Sequence, residues 1–570
     1  MPAKGGVRPP NVVLILTDDQ GYGDLSCHGN PVLKTPEMDR LHAESVRLTD
    51  FHVAPMCTPT RGELMTGQDC LRNGASATCL GRHMPHPDLR TVAEMFSAGG
   101  YRTGMFGKWH LGNNYPYRPM DRGFDEALYH QGFGLTGADA YWCNDYFDPY
   151  YRHNGEVKRA DGFCTDFWFE QAIQWMDDCR RSGAPFFCYL PTNAPHFPFW
   201  VDEKYREVYE PLDPAGFYGL IANIDENLGR LERFMRETGL RENTILIFMT
   251  DNGTCGNGSD KVWNGGMRGS KCSRYDGGHR VPCFIRWPGG GLEGGTDITY
   301  PAQAQDVMPT LADLCGLSLP AEAEPDGISL GGLLRDDVEP PSDRMFVVHY
   351  YQNSLEEWDA AVVWDRWRLV WGEELFDIRS DPGQENDVAA EHPDIVEQMR
   401  AHHEEWWAGV ESTRNRFSPL FIGSEAQNPV RLTSCEWEDV RCDGAGSVRK
   451  GSSQDEGRGG PWNVEVARPG SYRIELCRWP HEANAALADP VPAFQSREGE
   501  LPPGKARPIG KARLKVGDGE TVEQPVGADD REATFTVPLE AGRTKLHAWF
   551  AAEGGQDLCG AYFAYVNRLD

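Results

Sequence analysis

What this 570-residue sequence lacks narrows its class first. It has no Cys-x-x-Cys pair. Its 16 cysteines are scattered from Cys27 to Cys559, which gives zinc-ribbon and thioredoxin-like readings no support and favours free buried thiols. It is short of basic residues, with 56 Lys and Arg against 86 Asp and Glu and a formal charge of -30. Nucleic acid and acidic membranes both call for a basic face, so neither is expected as a partner. Long apolar runs are also missing. The opening Met1-Pro2-Ala3-Lys4-Gly5-Gly6 holds no apolar core of signal-peptide length, and the run Val12 to Leu16 falls far short of the ~20 residues that span a bilayer. The expectation is a cytoplasmic protein, or an exported one whose signal has been removed. An anionic substrate stays open, because a local group of Arg, Lys and His overrides the mean field at short range, helped by a divalent cation.

What is present is an ordinary globular composition, 40% hydrophobic and 25% charged, at a length that suits two or three domains. Asn11-Val12-Val13-Leu14-Ile15-Leu16-Thr17-Asp18-Asp19 reads as a buried parallel strand ending in two carboxylates, and Thr244 to Gly253 repeats the pattern with Asp251-Asn252. Ligands of open α/β sheets collect at such carboxyl ends. Together the two strand ends offer four oxygen ligands that suit Ca²⁺ or Mg²⁺. Between them lie a helix at Thr91 to Ala98 and a strand with a glycine-bounded loop at Tyr101 to Gly112. A helix at Thr165 to Asp178, a strand at Pro185 to Leu190 and an amphipathic helix at Leu220 to Glu237 follow. This alternation predicts an α/β domain over residues 1–340. Short strands at Met345 to Tyr351, Ala360 to Val363 and Arg366 to Trp371, with a helix at Pro393 to Trp407, predict a small antiparallel subdomain over 341–427. Gly/Pro-punctuated β-rich runs predict a C-terminal β-sandwich over 428–570, with Asp443 to Gly460 as a flexible loop.

One stretch organises the rest: Cys57-Thr58-Pro59-Thr60-Arg61. Pro59 suits a first helical turn, so Cys57 sits at a helix N-terminus where amide donors favour negative charge. Arg61, four residues on, can bring a guanidinium beside the thiol. A thiol so placed is a candidate nucleophile and an anion its candidate substrate.

The pentapeptide resembles the signature of type I, formylglycine-dependent sulfatases, which belong to the alkaline phosphatase superfamily. Further motifs fall in that family's order: Thr17-Asp18-Asp19-Gln20-Gly21-Tyr22-Gly23, Thr66-Gly67, Gly107-Lys108-Trp109-His110-Leu111-Gly112 and Ala194-Pro195-His196. Thr250-Asp251-Asn252-Gly253, Gly269-Ser270-Lys271 and Asp276-Gly277-Gly278-His279-Arg280 complete the series, although the family commonly has Glu where Asp276 stands. The resemblance spans about residues 10–420. It implies an alkaline-phosphatase-like α/β sandwich with a central mixed, mostly parallel sheet. It also implies that Cys57 is oxidised to formylglycine, whose hydrate is the nucleophile. Asp18, Asp19, Asp251 and Asn252, with the matured Cys57, would hold one Ca²⁺, with Mg²⁺ as the other option. Arg61 would steady the hydrate, Lys108, His196 and Lys271 would hold the sulfate, and His110 would act on the second hydroxyl. Asp251 would take the attacking proton, and His196 or Lys271 would protonate the leaving oxygen. The implied partners are a sulfated small molecule or oligosaccharide and a formylglycine-generating maturation enzyme.

Taken singly, each residue has a plainer reading. Cys57 reads as core, Asp18-Asp19 as a cap or turn, and Asp251-Asn252-Gly253 as an ordinary turn. His110 and His196 read as structural histidines, and Lys108 and Lys271 as solvated. Their joint occurrence in order favours the site. His279 and Arg280 stand evenly between substrate contact and loop packing. The aromatic run Tyr141 to Phe147 reads as packing rather than a sugar platform. The leading expectation is sulfate ester hydrolysis, most of all on a carbohydrate. A phosphodiester or phosphonate hydrolase on the same fold, and an inactive relative binding carbohydrate through its C-terminal domain, are the alternatives.

Overall fold

The computed structural model describes residues 8–255, 262–336, 341–351, 354–451 and 457–570. The opening Met1 to Gly6 and part of the loop expected at 443–460 (residues 452–456) lie outside the described residues.

The apolar run Asn11–Thr17 forms the middle of a ten-stranded mixed sheet, and every residue of it is buried. It pairs in parallel with Thr244–Thr250 on one side, in register from Asn11 opposite Thr244 to Thr17 opposite Thr250. On the other side it pairs in parallel with Phe186–Pro191, which is followed by the parallel strands Arg102–Lys108 and Glu126–His130. Antiparallel strands flank this parallel centre, Cys283–Arg286 on one side and Tyr150–His153 with Glu156–Arg159 on the other.

A strand buried on both faces needs cover on both, and alternate side chains divide accordingly. Val12, Leu14 and Leu16 join a core shared with helices Cys57–Thr66, Val92–Ala98 and Val307–Cys315. Val13 and Ile15 join the opposite core, covered by Cys164–Ser182 and Ala215–Glu237. Each fully buried Leu or Ile contributes roughly 1.5–3 kcal/mol, so the two cores fix the register that the site depends on. The expected helix at Thr91 to Ala98 starts through a capping box, Thr91 accepting from the Glu94 amide and the Glu94 carboxylate accepting from the Thr91 amide.

Strands Met345–His349, Ala360–Trp364, Trp367–Val370 and Glu374–Asp377 form an antiparallel sheet in chain order. Helix Pro393–Gly409 packs on it through Met399. The C-terminal region forms a six-stranded and a four-stranded sheet around one core. Two expectations change here. Leu420–Ile422, expected in the small subdomain, pairs in parallel with Trp462–Val466 of the C-terminal sheet, because its buried Leu420 and Ile422 belong to that core. The expected flexible stretch from Asp443 opens with a helix, Ala445–Lys450, pinned by buried Ala445, Val448 and Arg449. The C-terminal core also takes in Met84, Tyr117, Ala138 and Trp142 from earlier in the chain, so it is continuous with the α/β unit. None of the sixteen cysteines forms a disulfide, and among the described residues no helix is long and apolar enough to cross a membrane.

Candidate functional site

Four neighbouring parallel strands each deliver a polar residue at the carboxyl edge. Asp18 and Asp19 follow Asn11–Thr17, and Asp251 and Asn252 follow Thr244–Thr250. Lys108 ends Arg102–Lys108, and the loop after Phe186–Pro191 carries His196. The in-register pairing of the first two strands sets their acids side by side. The Asp251 amide donates to the Thr17 carbonyl at 3.1 Å, and the Asp19 amide donates to Asp251 Oδ1 at 3.0 Å. Asn252 Nδ2 donates to Asp19 Oδ1 at 2.9 Å.

Glycines allow this crowding. A Cβ at Gly107, where φ is +140°, would lie 1.8 Å from the Pro191 carbonyl oxygen. A Cβ at Gly253 would lie 2.0 Å from the Gly277 carbonyl oxygen. Asp19 and His110 adopt left-handed backbone at φ 70° and 60°, a local cost of about 1–3 kcal/mol that the surrounding bonds sustain.

Cys57 begins helix Cys57–Thr66, as the proline spacing predicts, and its side chain is buried. Ligand atoms of Cys57, Asp18 and Asp251 lie within 4.8 Å of one another. Burial pushes the Cys57 thiol pKa upward even though Lys108 and Lys271 oppose it, so the unmodified side chain is a neutral thiol. It lies 3.4 Å from His110 Nδ1. His110 Nε2 faces the Thr78 carbonyl at 3.2 Å and must donate there, which leaves Nδ1 as the acceptor from Cys57. Burial, with Lys108 and Arg61 nearby, holds the His110 pKa well below the usual imidazole range and keeps the ring neutral.

The cations take specific partners. Arg61 donates through Nε and Nη2 to Asp251 Oδ2 at 3.1 and 2.8 Å and through Nη1 to the Lys108 carbonyl at 3.0 Å. The sequence placed its guanidinium beside Cys57. Its hydrogen bonds go to a carboxylate and a carbonyl, stronger acceptors than a thiol, and Cys57 lies within its electrostatic range. Lys108 Nζ donates to Asp18 Oδ2 at 2.6 Å, and Lys271 Nζ to Asp19 Oδ1 at 2.5 Å. His196 Nε2 stands 3.6 Å from Asp19 Oδ2. Burial raises the Asp19 pKa, but Lys271 and His196 outweigh it and hold the carboxyl below its usual range. Burial takes His196 down to about 4.

These residues also pass a test for a bound metal ion. Asp18 Oδ1, Asp19 Oδ2 and Asn252 Oδ1 are buried oxygens without a hydrogen-bond partner among the described residues. Orphaned buried acceptors cost about 1–3 kcal/mol each, more when charged. Oxygen donors of this kind fit Ca²⁺ or Mg²⁺, and Asp18 and Asp251 already bring ligand atoms within 4.8 Å of each other and of Cys57. Three carboxylates face three cations (Arg61, Lys108 and Lys271), so a divalent ion would leave the group net positive and receptive to an anion.

His279 and Arg280 do not join this group. His279 is fully buried, its Nδ1 2.8 Å from His52 Nδ1 and its Nε2 3.1 Å from the Arg274 carbonyl. Arg280 donates to the Thr49 carbonyl at 3.0 and 2.7 Å. The short helix Asp276–His279 turns both toward the small antiparallel sheet, where Arg368 ties Asp50 to Asp276. In the aromatic run, Tyr146 donates its hydroxyl to the Asn193 and His196 carbonyls, and Trp142 packs on Trp479, in keeping with packing. The Thr78 carbonyl, which orients His110, left no sequence signal because a backbone oxygen has no residue preference.

The chain resembles known proteins over this same region. Human arylsulfatase A is 32% identical over 388 residues, covering 61% of this chain and 72% of the relative. The N-acetylgalactosamine-6-sulfatase of Rattus norvegicus is 28% identical, covering 58% of this chain and 66% of the relative. The crystal structure of Ps i-CgsB in complex with k-i-k-neocarrahexaose superposes with a TM-score of 0.66 at 25% identity, covering 72% of this chain and 95% of that one. The family model described as Sulfatase matches residues 10–317, more than half of the chain. The chain therefore belongs to the sulfatase family of the alkaline phosphatase superfamily and is an enzyme of sulfate ester hydrolysis.

Proposed function

We propose that this sulfatase removes sulfate from a carbohydrate, with Cys57 matured to formylglycine and one Ca²⁺ held by Asp18, Asp19, Asp251 and Asn252. The observation that carries the reading is the clustering of Asp18, Asp251 and Cys57 ligand atoms within 4.8 Å. With it go buried oxygens of Asp18, Asp19 and Asn252 that accept no hydrogen bond among the described residues, and Lys108 and Lys271 bonded to Asp18 and Asp19. A bound Ca²⁺ would supply positive charge against the sulfate oxygens, and the formylglycine hydrate would supply the attacking hydroxyl. Lys108 and Lys271 hold the remaining sulfate oxygens, which lowers the repulsion an incoming nucleophile meets. His110 Nδ1, neutral and 3.4 Å from the Cys57 Sγ position, takes a proton from whatever group stands there. Asp251 acts as ligand rather than base, since both its oxygens already accept hydrogen bonds, two of them from Arg61. Lys271 Nζ, which donates to Asp19, offers the proton for the leaving sugar oxygen, while His196, neutral and with Nδ1 donating to the Phe197 carbonyl, presents Nε2 as an acceptor. The carbohydrate assignment draws on the N-acetylgalactosamine-6-sulfatase relative and on the neocarrahexaose complex of Ps i-CgsB. The same likeness prompts the reading of residues 1–340, 341–427 and 428–570 as catalytic domain, subdomain and accessory domain, with the strand at Leu420–Ile422 moved to the last.

The test is sulfate release from a panel of sulfated oligosaccharides, the protein being co-produced with a formylglycine-generating enzyme and Cys57→Ala serving as control. Release from one sugar, absent in the control, supports the proposal. No release from any sugar, with the aldehyde present by peptide mass and phosphonate or phosphodiester turned over instead, refutes it.

A further inference from the structure

Outside the catalytic group, a cavity of about 310 Å³ opens between the α/β unit and the C-terminal sheets. Its lining includes Arg118 and Arg152 from the α/β unit and Arg431 from strand Val430–Thr433. In a chain of net charge -30, Arg118 and Arg431 both lie within electrostatic range of Arg152. Arg118 is paired with Asp121 and Arg431 with Glu482. Among the described residues Arg152 has no carboxylate partner; it donates to Gln131 Oε1 and the Gly155 carbonyl at 2.9 and 2.8 Å. Asn113 and Asp139 bond each other in the wall, Asn113 Nδ2 donating to Asp139 Oδ2 at 2.6 Å. The rings of Tyr141 and Tyr565 complete the wall.

A guanidinium without a carboxylate partner and aromatic walls together call for a ligand with one anionic group and a flat apolar face. The volume lies at the low end of the ~300–1,000 Å³ of ligand pockets, which suits a single ring. We propose that this cavity binds an anionic sugar unit, a hydroxylated ring bearing a sulfate or carboxylate. Its anion pairs with Arg152 and its ring packs on Tyr141. The loop that supplies Gln131, Asp139 and Tyr141 also carries Phe133, whose ring centre lies 5.5 Å from that of His196. The cavity therefore serves a second unit of the chain whose sulfate is removed, and to that extent rests on the carbohydrate reading above.

The test titrates full-length Cys57→Ala protein with three hexaoses of matched linkage, one sulfated, one bearing uronate only and one neutral, with and without Arg152→Ala. The same Arg152→Ala change in active enzyme is assayed on 4-nitrophenyl sulfate. Expected are a tenfold or greater loss of affinity for one or both anionic hexaoses, no measurable binding of the neutral one, and turnover of the small ester within twofold of wild type. Arg152→Lys should recover part of the affinity. Tyr141→Ala, partly exposed and on a different element, should weaken binding independently of any folding defect at Arg152. Equal affinity of both Arg152→Ala and Tyr141→Ala with the parent, or neutral hexaose bound as well as anionic, overturns the proposal. Arg152-dependent binding without sulfate release from any sugar would keep this site and remove the carbohydrate sulfatase reading instead.

Discussion

The guanidinium of Arg368 is fully buried where the small antiparallel sheet meets the α/β unit. It donates to Asp50 Oδ1 at 2.5 Å and Asp276 Oδ1 at 3.0 Å, and to the carbonyls of Asp365 and Trp367 at 2.9 and 3.2 Å. Replacing it by methionine keeps most of the volume but leaves two buried carboxylates facing each other. Arg280, 3.6 and 3.7 Å from them, is then their remaining strong cation among the described residues. Breaking a buried pair in this way costs about 3–5 kcal/mol, whereas an exposed pair would cost under ~1 kcal/mol. The cost should depend on pH. Burial raises the pKa of both Asp50 and Asp276, but Arg368 and its neighbours outweigh it and hold both carboxyls below the usual value. A depressed carboxyl pKa contributes stability above its unfolded value near 4, lost as pH falls through the folded value. Without the guanidinium the same carboxyls take up protons at higher pH. The gap between wild type and Arg368→Met is therefore full at pH 7.5 and narrows toward pH 5. Urea unfolding followed by tryptophan emission reports on this region, since Trp364 and Trp367 lie in the sheet. A gap under 1 kcal/mol at pH 7.5, or one that widens in acid, would refute the reasoning.

Other outcomes follow from the same geometry. Asp251→Ala removes an acceptor of both Arg61 and the Asp19 amide, so bound calcium and sulfate release should fall together. The activity loss should be about a thousandfold, equivalent to ~4 kcal/mol, with metal content measured by mass spectrometry. Added Ca²⁺ should raise the melting temperature of wild type, by the equivalent of ~2.7 kcal/mol at one hundred times its dissociation constant, and should leave Asp251→Ala unmoved. Gly107→Ala forces a Cβ to within 1.8 Å of the Pro191 carbonyl and should cost ~2 kcal/mol or more. Because Lys108 is the next residue, kcat should fall more than thermal stability suggests.

Much of this was legible from the chain. The central strands announced themselves as uninterrupted apolar runs because they are covered on both faces. The acids at their ends were legible because parallel sheets gather ligands at one edge. Lys108, His110 and Lys271 stood out only through the resemblance of their glycine-bounded motifs to the sulfatase series, since singly they read as solvated or structural. His279 and Arg280 stood evenly between substrate contact and packing for a related reason. They follow Lys271 closely in sequence, but one turn of helix carries them toward Arg368, a partner that no local pattern reveals. The start of the C-terminal sheet at Leu420 was hidden because a three-residue strand is too short to show a period. The second cavity was illegible altogether, since Arg118, Arg152 and Arg431 come together only through tertiary packing.

Burial of Cys57 sets a schedule as well as a chemistry. Its side chain is 1% exposed, closed in by acids whose strands are joined by bonds spanning 233 residues of sequence. The centre of the sheet cannot close until Thr244–Thr250 has been synthesised, and at ~5–20 residues per second that follows Cys57 by about 10–40 s. During that interval the pentapeptide is an accessible, unfolded peptide, and afterwards it is sealed. On the proposed maturation, an enzyme oxidising Cys57 would compete with the ribosome and with folding, so slower synthesis should raise the matured fraction of an otherwise identical chain.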